Sequence, residues 1–305
     1  MFATDRLDPM NSPPMKITLK EGSVPHALHV ARTIPFAYRE QVKSELDDMV
    51  DKNVIEKVGD VPTEWCHPMV VVQKPNGKVR ITTDFGKLNK QVDRTVHNAR
   101  TAFDIVSDRS SGAKYFTTLD ATKGYWQMTL DPESRHLTTF ITPWGKYRYL
   151  RAPMGFISTG DSYNYRGDEA LEGIPRVKKI VDDILIEDST LEEHIKQVRL
   201  VLERCRQHGI TLSKSKFKFA KKEVQFAGFI ISADKIGVDP AKIKAIGEFP
   251  TPSTRTDLRS FMGLANQLGS FCSTLSASAT PLRELLKTKN EFRWLPEHDI
   301  AFRAM

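Results

Sequence analysis

The chain has 305 residues, of which 40% are hydrophobic and 27% are charged, a composition typical of globular proteins. No apolar run approaches the roughly 20 residues of a membrane-spanning helix, and no signal-peptide pattern opens the chain, so we expect no membrane partner. The formal net charge of +7 favours a polyanionic partner, and three widely separated cysteines fit a reducing compartment.

The first part of the chain predicts an extended lead-in over 1–35, which is rich in proline, followed by a helix over 36–54 with apolar residues at helical spacing. A basic turn at 74–77 separates two β-branched runs and predicts a hairpin. Strands are expected over 68–73, 78–84 and 114–120.

The middle of the chain predicts helices over 160–171 and 191–208. Alternation over 211–219, with lysines at every second position, predicts a strand with one solvated face. An apolar run over 224–232 with Gly228 inside it predicts a further strand.

From Asp239 onward the pattern becomes helical. Asp239 is a good N-cap, and Pro240 suits the first helical position. Further helices are expected over 256–268 and 279–287.

Two adjacent carboxylates, Asp182 and Asp183, lie inside an apolar run from 180 to 186 that otherwise predicts a buried strand. Burying two like charges side by side is costly unless something positive lies beside them. Neighbouring strand residues point to opposite faces, so the pair can share one cation only if the backbone bends, as in a tight hairpin. These residues alone are consistent with either a polar turn or a metal site.

Asp120 supplies a third carboxylate at the end of a predicted strand, before an irregular turn that contains glycine. Together with Asp182 and Asp183 it would form an all-oxygen site suited to hard cations such as Mg²⁺. Two ions held by shared carboxylates can activate an attacking hydroxyl and neutralise a departing pyrophosphate.

Seven motifs in one collinear order resemble the reverse transcriptase domain of gypsy-class long-terminal-repeat retrotransposon Pol polyproteins. The resemblance covers roughly residues 20 to 305. The motifs are KPNGKVR at 74–80, DFGKLN at 84–89, LDATKGYWQ at 119–127, VDDIL at 181–185, LSKSKFKF at 212–219, FAGFI at 226–230, and FPTP at 249–252 with LRSFMGL at 258–264.

The resemblance implies an α+β fold of the right-hand polymerase type, with fingers, a palm built on a split β-α-β sheet, and a helical thumb. The implied divisions are a lead-in at 1–19, fingers at 20–93 and 128–158, palm at 94–127 and 159–238, thumb at 239–291, and the start of a connector to an absent ribonuclease H at 292–305.

The resemblance also implies roles for individual residues. Asp120, Asp182 and Asp183 match the catalytic, metal-binding triad. Tyr125 matches a steric gate that excludes a ribose 2′-hydroxyl. Lys216 matches a lysine that donates a proton to pyrophosphate, which would be general-acid catalysis.

Contacts to the nucleotide and the primer are implied in the same way. Lys74 and Arg80 match basic fingers residues that hold the incoming triphosphate, and Met154 lies in the segment that shapes the nucleotide pocket. The primer grip, a hairpin that sets the primer 3′ terminus against the metals, is matched by the segment 226–229 with Phe226, Gly228 and Phe229.

The activity implied is RNA- and DNA-templated DNA synthesis, in which deoxynucleotides are added to a primer 3′ hydroxyl with two Mg²⁺ ions, or Mn²⁺ in their place. The implied partners are a primed RNA or DNA template, deoxynucleoside triphosphates, and downstream ribonuclease H and integrase segments of a polyprotein. The location implied is the cytoplasm, within a virus-like particle.

The chain departs from the family pattern at three places. Ile180 stands where relatives often carry tyrosine, two residues before the aspartate pair, and Gly86 stands where arginine is common. The segment 156–162 does not preserve the usual Asn-Ala-Pro, although Tyr163 and Asn164 can replace the Phe-Gln that follows it. An alternative is therefore a catalytically impaired retroelement remnant that still binds nucleic acid.

Overall fold

The computed structural model of the chain describes residues 2, 7–74, 77–98, 100–108, 110, 112–266, 268–269, 271–272 and 274–305. The chain divides into two compact units, Met1–Lys222 and Glu223–Met305. Among the helices of the described residues, none is long and apolar enough to cross a bilayer.

The described residues form twelve strands and eleven α-helical segments. The strands are β1 Ile55–Val58, β2 His67–Gln73, β3 Val79–Thr83, β4 Tyr115–Asp120, β5 Phe140–Thr142, β6 Gly145–Tyr149, β7 Val177–Ile180, β8 Asp183–Asp188, β9 Lys218–Lys221, β10 Glu223–Phe226, β11 Phe229–Ser232 and β12 Ile236–Val238. The helices are α1 Arg39–Asp51, α2 Gly86–Asn89, α3 Ala102–Ser107, α4 Gly124–Gln127, α5 Thr159–Leu171, α6 Leu191–Gln207, α7 Pro240–Gly247, α8 Arg255–Asn266, α9 Leu275–Ser278, α10 Thr280–Leu286 and α11 Pro296–Arg303.

One sheet of the first unit has five strands in the order β1-β6-β5-β2-β3. Helix α1 buries Val42, Leu46 and Met49, which lie on one face at helical spacing, and packs on this sheet. The predicted helix over 36–54 and the predicted hairpin are confirmed, except that Pro75 and Asn76 of the predicted turn lie outside the described residues.

The second sheet of the first unit is antiparallel, in the order β7-β8-β4-β9, and carries the three aspartates. Strands β4 and β8 pair along their whole length, with Asp120 opposite Asp183. Helix α6 starts at an N-cap, Thr190, and buries His194, Val198, Val201 and Cys205. The strand predicted over 114–120 and the helices predicted over 160–171 and 191–208 are therefore confirmed.

The second unit combines a three-stranded antiparallel sheet, β10-β11-β12, with helices α7 to α11. Asp239 caps α7 through a hydrogen bond from the Ala241 amide, with Pro240 at the first helical position, as predicted. The helical part of this unit packs around Phe261, which is 1% exposed. The helices predicted over 256–268 and 279–287 are confirmed with slightly different ends.

The single strand predicted over 211–219 is wrong. Residues Lys214–Lys216 form a 3₁₀ turn, closed by the Phe217 amide on the Lys214 carbonyl, and only β9 pairs with β4. The segment with alternating lysines is therefore a short 3₁₀ turn followed by a strand, not one continuous strand.

The single strand predicted over 224–232 is also wrong, because the chain reverses at its centre. Ala227 and Gly228 both have positive φ, +50° and +84°, and join β10 to β11 as a hairpin. This two-residue turn matches the twist of the strands on either side of it. Hydrophobic patterning did not locate this turn, but the hairpin that the family resemblance implies at 226–229 is confirmed.

His67 is a buried polar group in the five-stranded sheet. Its Nε2 donates to the Leu137 carbonyl at 2.9 Å, and its ring lies 4.9 Å from that of Phe85. Burial lowers the pKa of His67 below its ordinary value of 6.5, the main cause being desolvation of the charged form.

We predict that His67 makes the protein less stable as the pH falls below about 6.5. Below this pH the unfolded chain binds a proton at His67 that the folded chain does not bind. The contribution of neutral His67 to the free energy of unfolding is therefore present above pH 6.5 and lost in acid. The free energy of unfolding of His67→Gln, measured by urea titration from pH 7.5 to pH 5, should depend less on pH. His136→Gln, at an exposed position, should keep the wild-type slope, and equal slopes for all three proteins would contradict the prediction.

Candidate active site

A strained two-residue turn brings the adjacent aspartates to one place. Ile180 pairs with Asp183 at the end of the β7–β8 hairpin, and Val181 and Asp182 form its turn. Val181 has φ +51°, a left-handed conformation that is unfavourable for a β-branched residue. The Ala121 amide donates to the Asp182 carbonyl at 2.8 Å, which ties this turn to the end of β4. The backbone bend that the aspartate pair requires is therefore present.

Asp120 lies at the end of β4, directly opposite Asp183. Like charges in this position destabilise a sheet unless a cation intervenes. The ammonium of Lys216 lies 2.7 Å from Oδ2 of Asp120 and supplies that charge. The Ser213 amide donates to the Asp120 carbonyl at 2.8 Å, so the segment that carries Lys216 is fixed to the same strand end.

The electrostatics of the three carboxylates are those of a crowded anionic site. Burial raises the pKa of Asp182, the Tyr163 hydroxyl lowers it, and the charges of Asp120 and Asp183 raise it further. Burial and the charge of Asp120 raise the pKa of Asp183. The hydrogen bond to Asp120 raises the pKa of Lys216, so this lysine is held as a cation.

The donor set fits a hard divalent cation. Oδ1 of Asp182 is buried and finds no hydrogen-bond partner among the described residues, and the carboxylates raise each other's pKa. An ion with oxygen ligands would satisfy both conditions. Among the described residues, no three His, Cys, Asp or Glu side chains lie close enough together to hold a metal ion. Asp120 forms an ion pair with Lys216.

Tyr125 lies beside the carboxylates on the short helix α4. Lys123, with φ +50°, turns the chain into α4, and the Tyr125 ring packs edge-on against Tyr163 at a centroid distance of 5.4 Å. Burial raises the pKa of Tyr125, and the charges of Asp182 and Asp161 raise it further. Tyr125 is therefore an uncharged, half-buried ring beside the carboxylates.

Gln127, which sequence analysis did not single out, holds this region together. Its buried amide donates to the carbonyls of Thr122 and Thr211, at 2.7 and 2.9 Å, and accepts from the Thr211 amide at 2.8 Å. The turn after Asp120 is thereby joined to the chain that leads to Lys216. The motif that contains Gln127 was the available signal, but its partner at 211 depends on the tertiary fold.

The segment that carries Met154 is held against β3 and α2. The Met154 carbonyl accepts from the Thr82 hydroxyl at 3.4 Å. The Asn89 side chain donates to the Gly155 carbonyl and accepts from the Ile157 amide, both at 3.0 Å. Asn89 therefore braces the segment in which the sequence departs from the family pattern.

The other predicted site residues belong to other elements of the chain. Lys74 and Arg80 are exposed on the β2–β3 hairpin of the five-stranded sheet. The predicted primer grip belongs to the second unit, where Phe226 and Phe229 are buried on both sides of the β10–β11 turn. The structure thus brings together the three aspartates, Lys216 and Tyr125.

Comparison with protein families identifies a match over residues 72–231, more than half of the chain, to the family described as reverse transcriptase (RNA-dependent DNA polymerase). The matched range contains the three aspartates, Tyr125 and Lys216.

Curated relatives come from a virus and from transposons. The enzymatic polyprotein of cauliflower mosaic virus (strain Strasbourg) is 29% identical over 295 residues, which are 93% of this chain and 42% of that protein. The Pol polyprotein from transposon gypsy of Drosophila melanogaster is 32% identical over 219 residues, 70% of this chain and 21% of that protein. The chain therefore spans less than half the length of these relatives.

Solved structures show the same fold. Foamy viral protease-reverse transcriptase in complex with RNA/DNA hybrid superposes with a TM-score of 0.85 at 23% identity, covering 98% of this chain and 40% of that one. Its complex with double-stranded DNA gives 0.85 at 24% identity, covering 98% and 62%. The predicted α+β fold of the right-hand polymerase type is confirmed. The chain belongs to the reverse transcriptase family, and its relatives include the gypsy-class Pol polyproteins that the motifs indicate.

Proposed function

We propose that the chain is an RNA- and DNA-templated DNA polymerase that adds deoxynucleotides to a primer 3′ hydroxyl. The observation that carries the proposal is the meeting of Asp120, Asp182 and Asp183 at one sheet end, with Tyr125 beside them. Phosphoryl transfer depends mainly on positioning and on charge stabilisation, and this arrangement offers both.

Asp120, Asp182 and Asp183 would hold Mg²⁺, or Mn²⁺ in its place. Such ions supply Lewis-acid activation of the primer hydroxyl and neutralise the charge of the leaving pyrophosphate. We propose that two such ions bind, because carboxylates shared between two metal ions are typical of two-metal phosphoryl-transfer sites.

The nucleotide would be held and selected by this chain's own side chains. The Tyr125 ring would occupy the space of a ribose 2′-hydroxyl, and exposed Lys74 and Arg80 would bind the triphosphate. Arginine offers a planar fork of donors and lysine a point charge. Met154, on its braced segment, would contact the nascent base pair.

The primer would be positioned by Phe226, Gly228 and Phe229. Lys216 would move from Asp120 to donate a proton to the departing pyrophosphate. Its hydrogen bond to Asp120 raises the pKa of the ammonium and keeps it protonated before that step.

The partner class that we propose is a primed template, since the foamy viral protein is held on RNA/DNA hybrid and on double-stranded DNA in its solved complexes. Deoxynucleoside triphosphates are the proposed substrates.

We retain fingers at 20–93 and 128–158, palm at 94–127 and 159–238, and thumb at 239–291. We further propose that ribonuclease H and integrase segments of a polyprotein are partners of the chain. The proposed location is the cytoplasm, within a virus-like particle.

The first prediction on activity concerns Asp182→Asn. Incorporation of deoxynucleotides on a primed RNA template should fall by at least roughly 100-fold, because a charge that stabilises the transition state is lost. The free energy of unfolding should not fall, since the variant removes one of several crowded like charges. Primer extension and urea titration measure the two effects.

Asp47→Asn, on the exposed face of α1, is the matched control and should extend the primer like the wild type. Equal extension by Asp182→Asn would refute the polymerase assignment. Salt-dependent binding of primer–template by a wild-type protein that does not extend it would favour the binding-module alternative.

The second prediction concerns Tyr125→Ala. Removing the ring opens space for a 2′-hydroxyl, so the preference for deoxynucleotides over ribonucleotides should fall by roughly 10- to 200-fold. Single-nucleotide incorporation with each sugar gives the ratio. Exposed Tyr165→Ala should leave the ratio unchanged, and an unchanged ratio in Tyr125→Ala would remove Tyr125 from sugar selection.

The third prediction concerns Lys216→Ala. Mn²⁺ should bind more tightly, because it no longer competes with an ammonium at Asp120, while incorporation should slow by roughly 100-fold for lack of the proton donor. Calorimetric titration with Mn²⁺ and single-turnover kinetics measure these opposite effects. Exposed Lys218→Ala is the control. Unchanged affinity would contradict the competition, and an unchanged rate would contradict the donor role.

A further inference from the structure

Lys242, which sequence analysis did not single out, lies in the first turn of α7 with its ammonium against the β10–β11 turn. A Cβ placed on Gly228 would lie 2.3 Å from Nζ of Lys242 and 3.0 Å from its Cε. Apart from the neighbours of Gly228 in the chain, no other described residue comes within 4 Å of that point. The turn therefore accommodates the ammonium because residue 228 has no side chain.

The start of α7 is fixed to the hairpin by one carboxylate. Oδ2 of Asp239 accepts from the side-chain amide of Gln225 on β10 at 2.5 Å. Oδ1 of Asp239 accepts from the Ala241 amide, and the Lys242 amide donates to the Asp239 carbonyl, both at 2.9 Å. The position of Lys242 beside the turn is thus maintained by hydrogen bonds that leave its ammonium unused.

The charge of Lys242 has no partner among the described residues. Nearby lysines in the same unit do have one, since Lys244 lies 3.7 Å from Glu248 and Lys235 lies 3.6 Å from Glu223. Water solvates most exposed lysines, but Lys242 is half-buried and is held against the backbone. A cation that is fixed and not neutralised in this way is suited to an anion from outside the chain.

The chemistry of the chain indicates which anion this is. An ammonium binds a phosphate oxygen as a point charge, and the formal net charge of +7 favours a polyanion. The β10–β11 turn is the centre of the segment 226–229, which would position the primer in the proposed function. A phosphate group of the primer strand is therefore the anion expected at Lys242.

We propose that Lys242 binds a backbone phosphate of the primer strand at the β10–β11 turn. This inference rests on the proposed function, because it takes the segment 226–229 to face the primer, and it adds a cation from another element to that segment. Phosphate contacts fix the position of a strand without reading its sequence, so Lys242 would act on every primer alike.

The test measures how the binding of a labelled DNA primer–template depends on salt. Each phosphate that a protein neutralises contributes about 0.9 to the slope of log affinity against log salt concentration. Lys242→Gln should lower the slope by this amount, so its loss of affinity should grow roughly 5-fold between about 0.3 M and about 0.05 M salt. Fluorescence anisotropy gives the dissociation constants without any need for catalysis.

Two variants control for the loss of a charge on α7. Lys242→Arg keeps the charge and should keep the wild-type slope. Lys244→Gln lies on the same helix, but Lys244 is paired with Glu248, so this variant should also keep the wild-type slope.

Primers with a single neutral methylphosphonate linkage assign the contact to one strand. One linkage near the primer 3′ end should weaken binding to the wild type and have no further effect on Lys242→Gln, because both changes remove the same contact. Methylphosphonates in the template strand should weaken binding to both proteins equally.

Equal salt slopes for Lys242→Gln and the wild type would overturn this inference, and so would coupling to a template linkage alone. Calorimetry with inorganic phosphate tests a free anion in place of a strand. Phosphate binding that depends on Lys242, with equal slopes for DNA, would overturn the assignment to a strand.

The proposed function is tested separately from the role of Lys242. A wild-type protein that binds the primer–template but does not extend it would overturn the proposed function, and the salt slopes would still decide whether Lys242 binds a phosphate. A wild-type protein that does not bind the primer–template would overturn both.

Discussion

Three carboxylates held close together and partly out of water are the constraint on which the first unit depends. Burial and mutual repulsion oppose the ionisation of Asp182 and Asp183, so the fold must supply compensating groups. The ammonium of Lys216, 2.7 Å from Oδ2 of Asp120, is one such group, and it comes from a separate segment of the chain. The site therefore draws β4, the β7–β8 hairpin turn and the 214–216 turn together.

The three aspartates of this site could be predicted from the sequence because charged residues stand in short motifs next to apolar ones. Two aspartates in an apolar run are costly in any fold, and that cost alone indicates a positive charge beside them. The packing of the Tyr163 ring against Tyr125 could not be predicted in the same way. It depends on where α5 meets α4, and that meeting joins residues that are far apart in the chain.

Backbone conformation explains the errors in the predicted elements. Over 211–219 the alternating lysines run through a 3₁₀ turn at Lys214–Lys216 and into β9, and the bond from the Phe217 amide to the Lys214 carbonyl that closes the turn is not visible in the alternation. Over 224–232 the reversal occurs at Ala227 and Gly228, a pair without the asparagine or aspartate that usually marks such turns. Hydrophobic periodicity located both segments correctly but could not determine the path of the chain within them.

The left-handed conformation of Val181 has a consequence for how related copies of this chain can diverge. A β-branched residue at φ +51° holds strain of about 1–3 kcal/mol, and the β7–β8 ladder maintains it. Glycine or asparagine would relax the turn, whereas another β-branched residue would keep it strained. Position 181 can therefore change the direction in which the Asp182 carboxylate points while every charge in the site stays the same. In the polymerase that we propose, rate and copying accuracy can thus change through the backbone alone, at a residue with no chemistry of its own.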